Sequence, residues 1–219
     1  MTKLEFIDSL LKSTIPFVST IVAFMLGRLG TNTDRKLEYR TYLDVDEISA
    51  QYNLKNMSSI KDGTRLIMPN EFIDIYNEIE TGEYVVDRDF QYLKIRPIGK
   101  SIISSASINV IMKSVDKKDT WSLDISLPIL EVNEEIYIYL HRKENLNRRF
   151  YVESTAIKYQ TQSGEKILYK SEQSVEGNQI IFKSSVSTKK LFGYKSINDT
   201  EMNTMAWIYL NRNNDDGKN

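Results

Sequence analysis

Two stretches of this sequence bring cations and aromatic rings together in the way that phosphate recognition requires. His141-Arg-Lys-Glu-Asn-Leu-Asn-Arg-Arg149 holds Arg142, Lys143, Arg148 and Arg149, with Tyr137, Tyr139, Phe150 and Tyr151 close by. A second group joins Lys183, Lys189, Lys190 and Lys195 to Phe192 and Tyr194. Cations neutralise backbone phosphates and aromatic faces stack bases, so the chemistry on offer is capture of a nucleotide or a single-stranded oligonucleotide. The ordinary alternative is a solvated loop between strands. The residues carried forward as ligand contacts are Arg142, Lys143, Arg148, Arg149, Lys189 and Lys190.

Other chemistry is poorly supplied. Asp44-Val-Asp46 and Asp87-Arg-Asp89 could each offer two carboxylates to a divalent ion, but no glycine-rich loop or third spaced ligand accompanies them, so they read as surface aspartates and no metal is expected. Serine is abundant, yet a serine nucleophile needs a base and His141 is the one histidine, in a segment that reads as an exposed loop. Zero cysteine excludes a disulfide scaffold, a thiol nucleophile and a thiolate metal site. No Gly-x-Gly-x-x-Gly or Walker-type run is present. A net charge of -1 gives no global pull toward nucleic acid or acidic lipid. These absences argue against an enzyme and imply no cofactor.

The 219 residues suffice for one core of ordinary size plus an appendage. The appendage is at the start. Between Lys12 and Arg28 lies an uncharged run, Ser13-Thr-Ile-Pro-Phe-Val-Ser-Thr-Ile-Val-Ala-Phe-Met-Leu-Gly27, flanked by Leu10, Leu11 and Leu29. As a helix the run is about 22 Å long, and extending it to Leu10 and Leu29 gives about 30 Å if Lys12 and Arg28 snorkel to the headgroups. A cleaved signal peptide fits less well, because Glu5 and Asp8 make the start mixed and Gly27-Arg-Leu-Gly30 is a poor cleavage site. A buried helix or one lying in the membrane interface is the other alternative. The reading adopted is a single membrane span over residues 1–31 in the cell membrane. Arg28, Arg35, Lys36 and Arg40 downstream place the C-terminal part in the cytosol. Ser19, Ala23 and Gly27 recur at i, i+4, i+8, with Lys12 and Pro16 continuing the stripe, and small residues so spaced let membrane helices approach closely. That face is assigned to self-association or a pore lining, making the chain a homo-oligomer in contact with lipid.

Beyond it the pattern is mainly β. Residues 32–85 read as a connector: a polar hinge Gly30-Thr-Asn-Thr33, a strand over Lys36–Val45, and a short helix capped by Asn70 with Phe72, Ile75, Tyr76 and Ile79 on one face, closed by Gly82. From residue 86 to 211 the period is two. Strands are expected over Tyr92–Ile98 and Ser107–Met112, then over Trp121–Ile129 with the odd positions on one buried face. Glu135–Leu140 should set Ile136, Ile138 and Leu140 against Tyr137, Tyr139 and His141. Phe150–Thr161 and Lys166–Ser171 form a hairpin, followed by Gln179–Ser184 and Ala206–Asn211. Seven or more short strands at such spacing indicate an antiparallel β-sandwich with a small α-containing insertion. Residues 212–219 are too polar to order.

The order Leu93-Lys-Ile-Arg-Pro-Ile-Gly-Lys100, Ser107-Ile-Asn-Val-Ile, Ser126-Leu-Pro-Ile-Leu130, Glu134-Glu-Ile-Tyr-Ile and Ile157-Lys-Tyr-Gln-Thr-Gln-Ser-Gly-Glu165 resembles the immunoglobulin-like domain of bacterial single-span membrane proteins. It covers roughly residues 90–185, and Pro97-Ile98-Gly99 stands where that family has an asparagine-containing turn. The layout as a whole is similar to the membrane effectors of anti-phage systems, including the Hailong type. The resemblance implies an oligomeric, pore- or channel-forming effector whose cytosolic domain responds to a nucleotide-derived ligand. The alternative is a membrane-anchored adaptor that recruits a cytosolic partner protein and forms no pore.

Overall fold

The computed structural model describes residues 23–28, 30–52, 54, 57, 60–61, 63–82, 89–115, 119–142, 149–176, 179–190 and 192–203. Of the residues singled out above, Lys12, Pro16, Ser19, Lys143 and Arg148 lie outside that set, as do the strand expected over Ala206–Asn211 and the tail.

The described chain is mainly β and forms two sheets. Ten strands run in order: β1 Tyr42–Ala50, β2 Arg65–Ile67, β3 Phe90–Ile98, β4 Ile103–Ser114, β5 Thr120–Leu130, β6 Ile136–Tyr139, β7 Phe150–Thr161, β8 Lys166–Glu176, β9 Gln179–Lys190 and β10 Gly193–Asn203. Residues 23–28 and 30–38 are helical and are called α1; α2 is Asn70–Glu80. One sheet has the order β1-β3-β6-β2, with β2 parallel to β6; the other is antiparallel with the order β10-β9-β8-β7-β4-β5. Residues 32–85 therefore supply both edges of the four-stranded sheet.

The period-two pattern explains the core between the sheets. Leu43, Leu93, Ile95, Ile136 and Ile138 from the smaller sheet meet Ile108, Val110, Met112, Leu123, Leu127, Val152 and Ile157 from the larger. The β6 sequence Ile-Tyr-Ile-Tyr is buried at every position, so alternation there does not mean inside against outside. Its isoleucines face the other sheet, while Tyr137 and Tyr139 join Phe72, Ile75 and Ile79 of α2 in a second core on the far side. Phe72 stacks on Tyr139 with centroids 3.6 Å apart. The smaller sheet is thus sandwiched between α2 and the larger sheet, and each buried aromatic is worth about 1.5–3 kcal/mol of transfer free energy.

Several local expectations are corrected. Gly30–Thr33 is helical rather than a hinge. Thr31 turns its hydroxyl back to the Gly27 carbonyl at 2.7 Å, which satisfies it within the helix. Strand β1 starts at Tyr42, opposite Ile98, because β3 ends there and Lys36–Arg40 have no strand to pair with. On β5, Ile129 is exposed and Leu130 buried instead. Pro128 falls on this edge strand, where its missing N–H breaks no ladder, and the in–out phase slips beside it and Ser105. The helix α2 begins after Pro69 without a side-chain cap, so Asn70 does not serve as one.

Candidate functional site

The strand register gives the sandwich two distinct ends. One carries the start of β7 at Phe150 and the end of β4 at Ser114; the other carries the start of β1, the β7–β8 turn and the β9–β10 turn. The four described residues of the six basic ones proposed from sequence are divided between them. Arg142 and Arg149 lie at the first end, Lys189 and Lys190 at the second, about 35 Å away along strands of this length. They do not converge on one ligand.

At the first end the basic residues largely serve the fold. The Arg142 guanidinium donates to the Ser122 carbonyl. Arg149 is exposed, and its carbonyl accepts from Val115 N at 3.0 Å. His141, expected in an exposed loop, is buried at 4% relative exposure. Residues 140 and 141 extend the edge of β6 past its last ladder pair. Leu140 N donates to the Gln91 carbonyl at 3.2 Å, and Gln91 N donates to His141 Nε2 at 3.0 Å. An accepting Nε2 carries no proton, so the imidazole is the Nδ1–H tautomer, packed edge-on against Phe90 and Phe150. It is a structural histidine.

Carboxylates and cations also meet on the outer face of the smaller sheet. Asp44 pairs with Arg96 at 2.6 Å, and Asp46 lies opposite Lys94 in register. Burial and the neighbouring Asp44 raise the Asp46 carboxyl, against Lys94 and Arg96, which lower it. Glu135 is nearly covered; desolvation pushes its carboxyl up, but Lys94 and Lys61, each 3.5 Å away, and the Tyr137 hydroxyl bring it below the usual range. These charges cancel one another. Among the described residues no three His, Asp or Glu side chains are grouped to hold a metal ion. A groove of about 650 Å³ opens beside this network, lined by Lys61, Arg65, Ile129, Val132, Asn133 and Glu134. Arg65 is already bidentate on Glu134 and bonded to the Ile129 carbonyl at 2.8 Å, which leaves little of its charge for an anion.

The second end holds the most specific construction, the junction where α1 enters the sandwich. Arg40 forks onto Glu165 through Nε at 3.0 Å and a terminal nitrogen at 2.6 Å, with the carboxylate 6% exposed. Thr41 donates to the Ser101 carbonyl at 2.9 Å, and Ser101 donates to the Tyr39 carbonyl at 2.7 Å. Tyr159 donates to the Thr41 carbonyl at 2.8 Å. Gly99 completes the seat, since any Cβ there would lie 2.9 Å from Thr41 Cα and 3.0 Å from the Arg40 carbonyl. Three consecutive residues are therefore fixed from three segments, the β3–β4 turn, β7 and the β7–β8 turn. Before this clamp α1 projects without cover: Ala23 and Gly27 are exposed, and Phe24, Met25 and Leu26 show 59–67% of their surface. No helix among the described residues is long and apolar enough to cross a membrane.

Sequence reasoning missed this junction. Arg40 had been counted only as flanking charge, and its partner stands 125 residues away. Gly99 was visible as the departure from the family turn, without its reason. It missed Glu47 too, on the inner face of β1, whose carboxyl is pushed up to about 7 by burial despite a hydrogen bond from the Val152 backbone. Glu47 as a residue is nonetheless exposed, so solvent screening weakens the shift. No family model, curated protein or solved structure matches the chain.

Proposed function

We propose that the chain is a membrane-anchored, oligomeric effector, with the two-sheet domain on the cytosolic side and the N-terminal helix self-associating in the bilayer into a pore or channel. The observation that carries this reading is the apolar start of α1, which finds no protein cover, continues the uncharged run Ser13–Gly27, and is held at its other end by the Arg40–Glu165 clamp. A helix used only as a leash needs no such clamp. A helix that must move with its domain does, because strain is passed on only through contacts that do not give. The immunoglobulin-like resemblance and the link to anti-phage effectors belong to this proposal. The trigger would be a ligand or partner that shifts the oligomer between closed and conducting states by binding one of them better.

The adaptor reading keeps one observation of its own: β10 is exposed over Gly193–Glu201 and is the edge strand of its sheet among the described residues, where a protein partner could pair.

Gly27 separates the two readings. A Cβ there meets nothing within 4 Å in the isolated chain, so Gly27→Leu starts into open space. Full-length protein in detergent is expected to run as a discrete multiple of 25.5 kDa, and Gly27→Leu to shift it toward the monomer. A monomeric wild type would remove the pore and leave the adaptor.

A further inference from the structure

The β9–β10 hairpin leaves the sandwich at the same end as α1. Register aligns Ile167 with Thr188, so continuing it sets Lys189 level with Lys166, and Lys190 level with Glu165, the residue that holds Arg40. The tip stands beyond that level, one to two strand spacings, about 5–10 Å, to the side. At its apex Phe192 is fully exposed at 101%, and Tyr194 is exposed beside it. Lys189, Lys190 and Lys195 flank them and form no ion pair among the described residues. The same end also exposes Ile98, Ile102, Lys100 and Lys166, while Glu165 is already committed to Arg40.

We propose that this tip is a second membrane contact, in which Phe192 enters the headgroup–acyl boundary of an anionic leaflet and Lys189, Lys190 and Lys195 meet lipid phosphates. The inference rests on the membrane anchoring proposed above and adds that the domain stands on the bilayer in one orientation. An aromatic ring at the apex with lysines around it matches the chemistry of an anionic interface, apolar below and negatively charged at the surface. Bases would need a groove with several stacking faces. This tip is a hairpin turn, and two grooves of the domain, of about 650 and 390 Å³, include none of its described residues. Its place beside the clamped exit of α1 decides the occupant: a span leaving there brings the bilayer surface to this end.

The cysteine-free sequence makes the test clean. Full-length Phe192→Cys and Arg149→Cys, each labelled with an apolar environment-sensitive fluorophore, are reconstituted into phosphatidylcholine vesicles with and without phosphatidylserine. The label at 192 should shift to the blue on the anionic vesicles and be quenched by iodide about fivefold less than the label at 149. Lys189→Glu with Lys190→Glu in the same chain should return it to water. If the protein floats with the vesicles while the labels at 192 and 149 quench alike, the tip contact is overturned and the anchor stands. Protein that fails to float overturns both. A shift at 192 produced by single-stranded oligonucleotide and not by vesicles also overturns the contact, in favour of a nucleic-acid site.

Discussion

Replacing Gly99 by alanine tests whether the α1 junction is held by its backbone. The new Cβ would lie 2.7 Å from Thr41 Oγ1, 2.9 Å from Thr41 Cα and 3.0 Å from the Arg40 carbonyl oxygen. The hydroxyl can rotate away, but the other two atoms belong to a chain held by Tyr159 at 2.8 Å and by Glu165 on Arg40. Overpacking against a held backbone costs about 1–3 kcal/mol. If Thr41 slides off instead, its hydrogen bonds are lost at about 1 kcal/mol each. The expected loss is therefore about 1–3 kcal/mol by either route. Urea unfolding of the detergent-solubilised full chain, followed by circular dichroism, should show the midpoint falling by about 0.5–1.5 M for a slope near 2 kcal/mol/M. Adding Thr41→Ala to Gly99→Ala relieves the hydroxyl contact but leaves the two backbone contacts and loses the bond to Ser101, so the double variant should stay well below the wild type. A loss under about 0.5 kcal/mol, or full rescue by Thr41→Ala, would refute the reasoning.

Two further outcomes follow from the surroundings of Glu47 and His141. Glu47 holds its proton up to about pH 7, against a usual value of 4.5, because burial disfavours the charged form. Its contribution to stability is complete below pH 4.5 and is lost as pH rises through 7. Water contact reduces the effect, so Glu47→Gln should stabilise the protein by about 1 kcal/mol at pH 8 and by almost nothing at pH 4, and an equal effect at both would contradict the assignment. His141→Phe keeps the aromatic packing but removes the acceptor of Gln91 N–H. Stability should fall by about 1–3 kcal/mol and the Gln91 amide should exchange faster; an unchanged exchange rate would mean that the bond contributes nothing.

How much could be read in advance depends on the range of the interactions. The β7–β8 hairpin was legible because Phe150–Thr161, a polar turn with Gly164, and Lys166 onward carry both alternation and turn chemistry within one window. The α2 helix was legible from Phe72, Ile75 and Ile79 for the same reason. Strand β10, Gly193–Asn203, escaped notice because both of its faces are exposed over Gly193–Glu201 and no apolar alternation runs along that stretch. The candidate junction escaped for a different reason. Arg40 and Glu165 are unremarkable charges until the fold brings them together.

By itself, then, the sequence determined what local physics determines: strand and helix periods, the want of cysteine and of a second histidine, and the apolar run before Arg28. Side-chain alternation and charge content need no partner to be visible. Only the tertiary structure decided which end of the sandwich each cluster occupies, since strand register moves a side chain about 3.3 Å per residue along a ladder set by distant pairing. That register separated Arg142 and Arg149 from Lys189 and Lys190, buried the lone His141, and set the lysines of the β9–β10 tip beside the residue where α1 is clamped.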